Sequence, residues 1–173
     1  NSRNRFLFYP WGIFVTSYAR RNLFTGIKAV GDDYIYSDTD SIKFVNPDSH
    51  KAYFESYNKL VSVKLEKAMK YHGFEIKRTC PETKEGKKKP LGVWDFEGVY
   101  KSFKTLGAKR YMVEEENALK VNGVSYPVCM TVSGINKKVA IPYLWELTGG
   151  NTDKIFELFN EGLEIPPSKS GKN

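Results

Sequence analysis

Hydrophobic and polar positions along the chain alternate between two periods. From Pro10 to Val30 apolar residues recur at helical spacing (Ile13, Phe14, Val15, Tyr18, Leu23, Phe24, Ile27). Proline at the start and Gly31 after the last periodic residue predict one helix with defined ends. Between Asp33 and Phe44 the pattern shortens. Tyr34-Ile35-Tyr36 and Ile42-Lys43-Phe44 read as strands on either side of a tight turn. Phe54, Tyr57, Val61, Leu65 and Ala68 then form a stripe that predicts a second helix over Tyr53–Tyr71, closed by His72-Gly73.

After this helix the pattern breaks down. Residues 77–90 are polar and lysine-rich and read as a loop. Residues 91–106 are ambiguous, although Trp94, Val99, Phe103 and Leu106 suit a short helix. Arg110 to Val132 reads as a β-meander with turns near Glu115–Asn117 and at Asn122-Gly123, the second being a strong hairpin signal. Ser133-Gly134 punctuates the chain and marks an expected domain boundary near residue 132, giving units 1–132 and 133–173. Beyond it, residues 142–147 suit a short helix. Thr152 is positioned to cap another running from Asp153 to about Glu161. The expected class is α+β, with an antiparallel sheet and the 34–44 hairpin packed on helices.

Composition narrows the class. With 173 residues, 40% hydrophobic and 14% aromatic, the chain is long and apolar enough for an ordered core. The net charge of +7 and a pI near 9.2 favour an anionic partner, of which nucleic acid is the commonest. Ten basic residues against four acids lie between Lys77 and Arg110. That bias suits either a DNA backbone or a solvated loop. Cys80 and Cys129 lack any motif and suit a reducing compartment. No apolar run is long enough for a membrane span and no leader is visible, so a cytoplasmic location is expected. The chain opens at Asn1-Ser2, in mid-pattern and without Met, and reads as a piece of a longer protein. His50 and His72 have no ligand partners at useful spacing and read as surface or helix-end residues.

The chemistry concentrates in Tyr36-Ser37-Asp38-Thr39-Asp40-Ser41. Two carboxylates two residues apart at a hairpin tip repel one another unless a cation intervenes. Hard oxygen donors suit Mg²⁺ or Mn²⁺. Asp and Thr are also ordinary turn formers, and a bare Asp-x-Asp is weak on its own. The strand–turn–strand context, with Tyr36 directly before the acids, makes it more specific.

This segment resembles the Y-x-D-T-D-S motif of family B DNA polymerases. The similarity extends to the preceding residues 10–20, which resemble the helix before that motif in the protein-primed, phi29-like phage branch. Leu91-Gly92-Val93-Trp94-Asp95-Phe96-Glu97 and Phe103-Lys104 resemble the approach to the family's K-x-Y motif, matched by Lys109-Arg110-Tyr111. The likeness is patchy and covers most of residues 8–165.

The resemblance implies a DNA-directed DNA polymerase that works by two-metal phosphoryl transfer. Asp40 takes the role of catalytic metal ligand. Asp38 supports it by binding a second metal, by binding through water, or by shaping the local field. Tyr36 and Thr39 would meet DNA near the primer end, and Lys109 with Tyr111 would steady the primer strand. A strand there would put those two side chains on one face. Lys137 and Lys138 fall where the family's thumb begins to grip duplex. Residues 133–173 would then be a partial thumb, and 1–132 the C-terminal part of the palm.

The implied partners are primer–template DNA, deoxynucleoside triphosphates, a terminal protein primer and the remainder of the polymerase chain. The family's earlier catalytic Asp, its nucleotide-contacting tyrosine and its K-x₃-N-S-x-Y-G helix have no match here; Asn1-Ser2 begins like part of the last, but Arg3-Asn4 does not continue it. The exonuclease carboxylates and the strand-displacement insertion are likewise absent, so the isolated chain is expected to be inactive. Two other classes stay open: a DxD-type glycosyltransferase fragment and a non-catalytic basic nucleic-acid-binding module.

Overall fold

A computed structural model describes residues 8–84 and 86–170. Asn1-Ser2 and the end of the lysine-bearing tail lie outside the described residues. The chain divides into two compact units, Asn1–Phe96 and Glu97–Asn173. Mixed helix and strand, with a three-stranded antiparallel sheet packed on helices, make the class α+β as expected. The division falls at Phe96/Glu97, whereas residue 132 lies inside the second unit. There the buried core draws on residues from both sides of that position.

In the first unit, helix α1 (Tyr9–Val30) ends at Gly31, whose φ of 55° is one that L side chains rarely adopt. Strands β1 (Tyr34–Asp38) and β2 (Ser41–Phe44) follow as an antiparallel hairpin, pairing Tyr36 with Lys43, Ser37 with Ile42 and Asp38 with Ser41. The hairpin sits close on α1 because Gly26 has no side chain. A Cβ there would lie 2.7 Å from Ile42 Cδ1 and 3.0 Å from Trp94 Cζ2. Replacing Gly26 with Leu is therefore expected to destabilise this unit by about 1–3 kcal/mol through overpacking. Urea unfolding followed by tryptophan fluorescence tests this, and an unchanged midpoint would mean the hairpin is not seated there.

Helix α2 (Pro47–His72) starts six residues earlier than its apolar stripe suggests. Asn46 adopts a left-handed conformation (φ 53°) before Pro47, so the chain turns and enters the helix at once. No residue of α2 is fully buried. Its half-buried stripe runs through Phe54, Tyr57, Val61 and Leu65, then on to Met69 in place of Ala68, which is exposed. Phe44 stacks on Phe54 (5.5 Å between ring centroids), and Phe54 meets the edge of Trp94 (5.7 Å).

Trp94 was expected on a short helix and is instead on a segment outside any helix or strand. Asn58 explains the difference. Its Nδ2 donates to the Trp94 carbonyl and its Oδ1 accepts from the Trp94 N–H, both at 2.8 Å. One side-chain amide thus satisfies the backbone groups that a helix would have paired. Cys80, half-buried, and Cys129, buried in the second unit, are both free thiols.

In the second unit, β3 (Ser102–Gly107), β4 (Arg110–Val121) and β5 (Val124–Val132) form a sheet with β4 central. Asn122 and Gly123 both have positive φ, the signature of the two-residue turn their sequence predicts. The expected turn at Glu115–Asn117 is a bulge within one continuous strand. Five residue steps on β4, from Glu114 to Leu119, oppose two on β5, from Val128 to Tyr126. Asn117 takes the left-handed conformation and its Oδ1 accepts from Ser125 Oγ at 2.5 Å.

Helices α3 (Lys137–Leu147) and α4 (Thr152–Leu158) supply the rest of this core, and a single helical turn, α5 (Pro167–Ser170), follows. Helix α3 starts five residues before Pro142 because Asn136 caps it, accepting from the Lys138 N–H. Asn151, one residue before Thr152, caps α4 by accepting from the Lys154 N–H at 2.9 Å.

Glu114 is almost fully buried. Lys101 Nζ donates to it at 2.6 Å and Ser102 Oγ at 2.7 Å. The Lys101 bond, and then the Ser102 bond, hold its carboxyl below the usual carboxylate range. A group whose folded pKa is depressed stabilises the fold above its unfolded pKa, near 4.3, and loses that contribution as pH falls. The second unit should therefore lose stability as pH falls below about 5. In Glu114→Gln that part of the pH dependence should vanish, as read from urea midpoints between neutral and acid pH.

Candidate functional site

The hairpin tip gathers four of the residues singled out in the sequence. Tyr36 is buried and shares a face of β1 with Asp38, two residues on. Thr39 and Asp40 are the two exposed turn residues. The Asp40 N–H donates to the Asp38 carbonyl at 2.6 Å, closing a three-residue turn around Thr39. Thr39 has a φ of 53°. For a β-branched residue that conformation is an outlier, costing on the order of 1–3 kcal/mol.

Side-chain bonds hold this turn. Thr39 Oγ1 donates to Asp38 Oδ1 at 2.9 Å, and Ser41 Oγ donates to the Asp38 carbonyl at 3.2 Å. The Asp40 carboxylate has no hydrogen bond or ion pair among the described residues and faces solvent. One acid is thus anchored by its neighbour while the other is free to bind. Two hard carboxylates suit Mg²⁺ or Mn²⁺, since Mg²⁺ is commonly bound through one or two. No group of three or more His, Cys, Asp or Glu able to hold a metal occurs among the described residues.

A third acid, missed in the sequence, fixes the base of the hairpin. Asp33 Oδ2 lies 2.7 Å from His50 Nε2, and Asp33 Oδ1 accepts from Asn46 Nδ2 at 2.9 Å. The His50 bond, then the Asn46 bond, hold the Asp33 carboxyl below its ordinary range. Asp33 precedes β1 while Asn46 and His50 lie at the start of α2, so the contact ties both ends of the hairpin together. Its only sequence signal was an acid directly before a strand. The partner seventeen residues on is set by the fold.

The remaining candidates belong to the second unit. Lys109 is in the two-residue turn between β3 and β4, with a φ of 55°, and Tyr111 is in β4. The expected strand arrangement, with both side chains on one face, therefore does not occur. Tyr111 stacks on Phe103 (5.6 Å, rings 22° apart) and is half-buried, while Lys109 is exposed. Lys137 and Lys138 are exposed in the first turn of α3. The helix dipole there is positive, so two lysines are mutually unfavourable unless an anion is near.

Much of the basic charge between Lys77 and Arg110 is used internally. Lys87 and Lys89 pair with Asp95, Lys77 with Glu75, and Arg110 with Glu161. Lys104 Nζ donates to the Phe156 carbonyl at 2.6 Å. Of the lysine-rich loop, Lys84 and Lys88 are exposed and form no ion pair among the described residues.

Among the described residues no helix is long and apolar enough to cross a membrane. Compared with protein-family models, curated proteins and solved structures, the chain gives no match in any of the three.

Proposed function

We propose that this chain carries part of the palm and the start of the thumb of a DNA-directed DNA polymerase of family B, from the protein-primed phage branch, acting in the cytoplasm of the host. The observation that carries the reading is the Asp38-Thr39-Asp40 turn. A strained, side-chain-braced hairpin tip presents one anchored and one unpartnered carboxylate, two and four residues after a buried tyrosine. Backbone strain of this kind persists where the surrounding structure over-determines it, and it concentrates at functional sites.

In this reading Asp40 and Asp38 would hold Mg²⁺ or Mn²⁺ through their carboxylates. When bound, the metal supplies the charge that activates the primer 3′-hydroxyl and stabilises the departing pyrophosphate. Tyr36 and Thr39 border the primer end. Lys109 sets an ammonium against the primer backbone from its turn, while Tyr111 braces that turn through Phe103 rather than lying beside Lys109. Lys137 and Lys138 meet duplex phosphates at the positive end of α3.

The exposed apolar residues of α1, among them Trp11, Phe14 and Val15, fit burial against the remainder of a longer polymerase chain. A DxD-type glycosyltransferase would bring parallel βαβ units, whereas both sheets of the described residues are antiparallel. A purely basic binding module leaves the acid turn without a role.

Sequencing the gene upstream of the Asn1 codon tests the proposal. It is expected to reveal an Asp-bearing strand motif and a K-x₃-N-S-x-Y-G helix in the same frame. An upstream frame without either removes the reading.

A further inference from the structure

We propose that the C-terminal tip of α2 is a stacking platform for single-stranded DNA, separate from the acidic turn. Helix α2, at 26 residues, spans about 39 Å, and the tip is at the end remote from the hairpin. Three rings cluster there. Tyr71 is 85% exposed and meets His72 edge-on at 4.9 Å, and His72 lies over Phe74 with rings 28° apart. The Arg78 guanidinium is 4.9 Å from the Phe74 centroid.

The cluster is held by backbone geometry. Gly73 is left-handed (φ 68°), its N–H donates to the Lys70 carbonyl, and the Phe74 N–H donates to the Met69 carbonyl. These paired bonds reverse the chain at a fixed angle. A 3₁₀ turn, Ile76–Thr79, then carries Arg78 back over Phe74, anchored by the buried Thr79. Phe74 is itself 52% exposed, so the cluster lies at the surface instead of filling a core, with Tyr71 as its most open ring.

Charge points to the kind of partner. Between Lys64 and Lys84 six basic residues face three acids. One acid, Glu75, is occupied by Lys77. Exposed aromatic rings set among cations are the elements that grip unpaired bases and their phosphates. A duplex offers no base faces to stack on, which selects a single strand. That the strand is DNA rests on the proposed function; the stacking surface does not.

The 173-residue chain is titrated against a fluorescein-labelled thymidine 20-mer, a uridine 20-mer and heparin, by anisotropy at low salt. Tyr71→Ala with Phe74→Ala is expected to weaken thymidine binding about tenfold or more, since alanine substitution removes the stacking contribution. Heparin binding should stay unchanged, because that polyanion has no bases. Should circular dichroism find the double variant unfolded, Tyr71→Ala alone decides, its side chain being almost wholly in solvent. Unchanged thymidine binding, or an equal loss for heparin, overturns the platform. Preference for the uridine strand overturns the assignment to DNA. Tyr71→Ala should leave the Mn²⁺ titration of the chain unchanged, so failure of the metal site and failure of the platform are read separately.

Discussion

Asp40→Asn is expected to lower Mn²⁺ affinity of this chain more than about 100-fold, exceeding the loss typical of groups that only orient a ligand. In the full-length protein the same change should cut nucleotidyl transfer by about a thousandfold or more. That corresponds to the several kcal/mol of charge stabilisation a catalytic metal supplies, at about 1.36 kcal/mol per tenfold. Asn keeps the size and the turn propensity of Asp and removes only the charge. Because Asp40 is exposed and unpartnered, the fold should change by less than about 0.5 kcal/mol.

Asp38→Asn should have the smaller effect on metal, since one of its oxygens already accepts from Thr39. Mn²⁺ titration by electron paramagnetic resonance measures the first quantity and primer extension by the parent protein the second. A larger loss for Asp38→Asn would exchange the two roles. No loss for either would remove the metal site and, with it, the proposed function.

Leu144→Ala is the second large effect. Leu144 is fully buried on α3, in one core with Met112 and Met130 of the sheet and Ile155 of α4. Truncating such a side chain costs about 2–5 kcal/mol, from lost transfer energy plus the cavity left behind. A unit of this size shifts by roughly 4–8 °C per kcal/mol, so Tm should fall by about 8–40 °C. Trp145, the adjacent residue and the second unit's single tryptophan by sequence, reports on α3, while hydrogen-exchange protection of the β4 and β5 amides reports on the strands. Both signals should shift together, because residues before and after position 132 share the core. Separate transitions would restore a boundary near 132.

The elements read most directly from the sequence are those with local punctuation. Pro10 at the start of α1, Gly31 after it and Asn122-Gly123 between β4 and β5 act on the backbone locally, proline by fixing φ and glycine and asparagine by admitting positive φ, so their consequences depend little on the rest of the chain. The segment around Trp94 and Phe103 was illegible for the opposite reason. Four apolar residues at helical spacing could satisfy a helix, but Asn58, on another element, pairs with the Trp94 backbone. Strand β4 in turn pairs with residues 102–107. The bulge at Asn117 and the turn at Lys109 were misplaced because both depend on strand register, which pairing partners decide.

For the site, the sequence alone determined the identity and spacing of Tyr36, Asp38, Thr39 and Asp40, and their place at a hairpin tip between two strands. Covalent order and turn chemistry suffice for that much. Only the tertiary structure decided that Asp38 is braced by Thr39 while Asp40 stands without a partner, and that Asp33 joins His50 and Asn46 to close the hairpin's base. It also decided that Gly26 admits Ile42 against α1. The Asp33 and Gly26 contacts join residues distant in sequence, and the Thr39 bond depends on the left-handed turn that strand pairing holds, so none of them exists until the chain has packed.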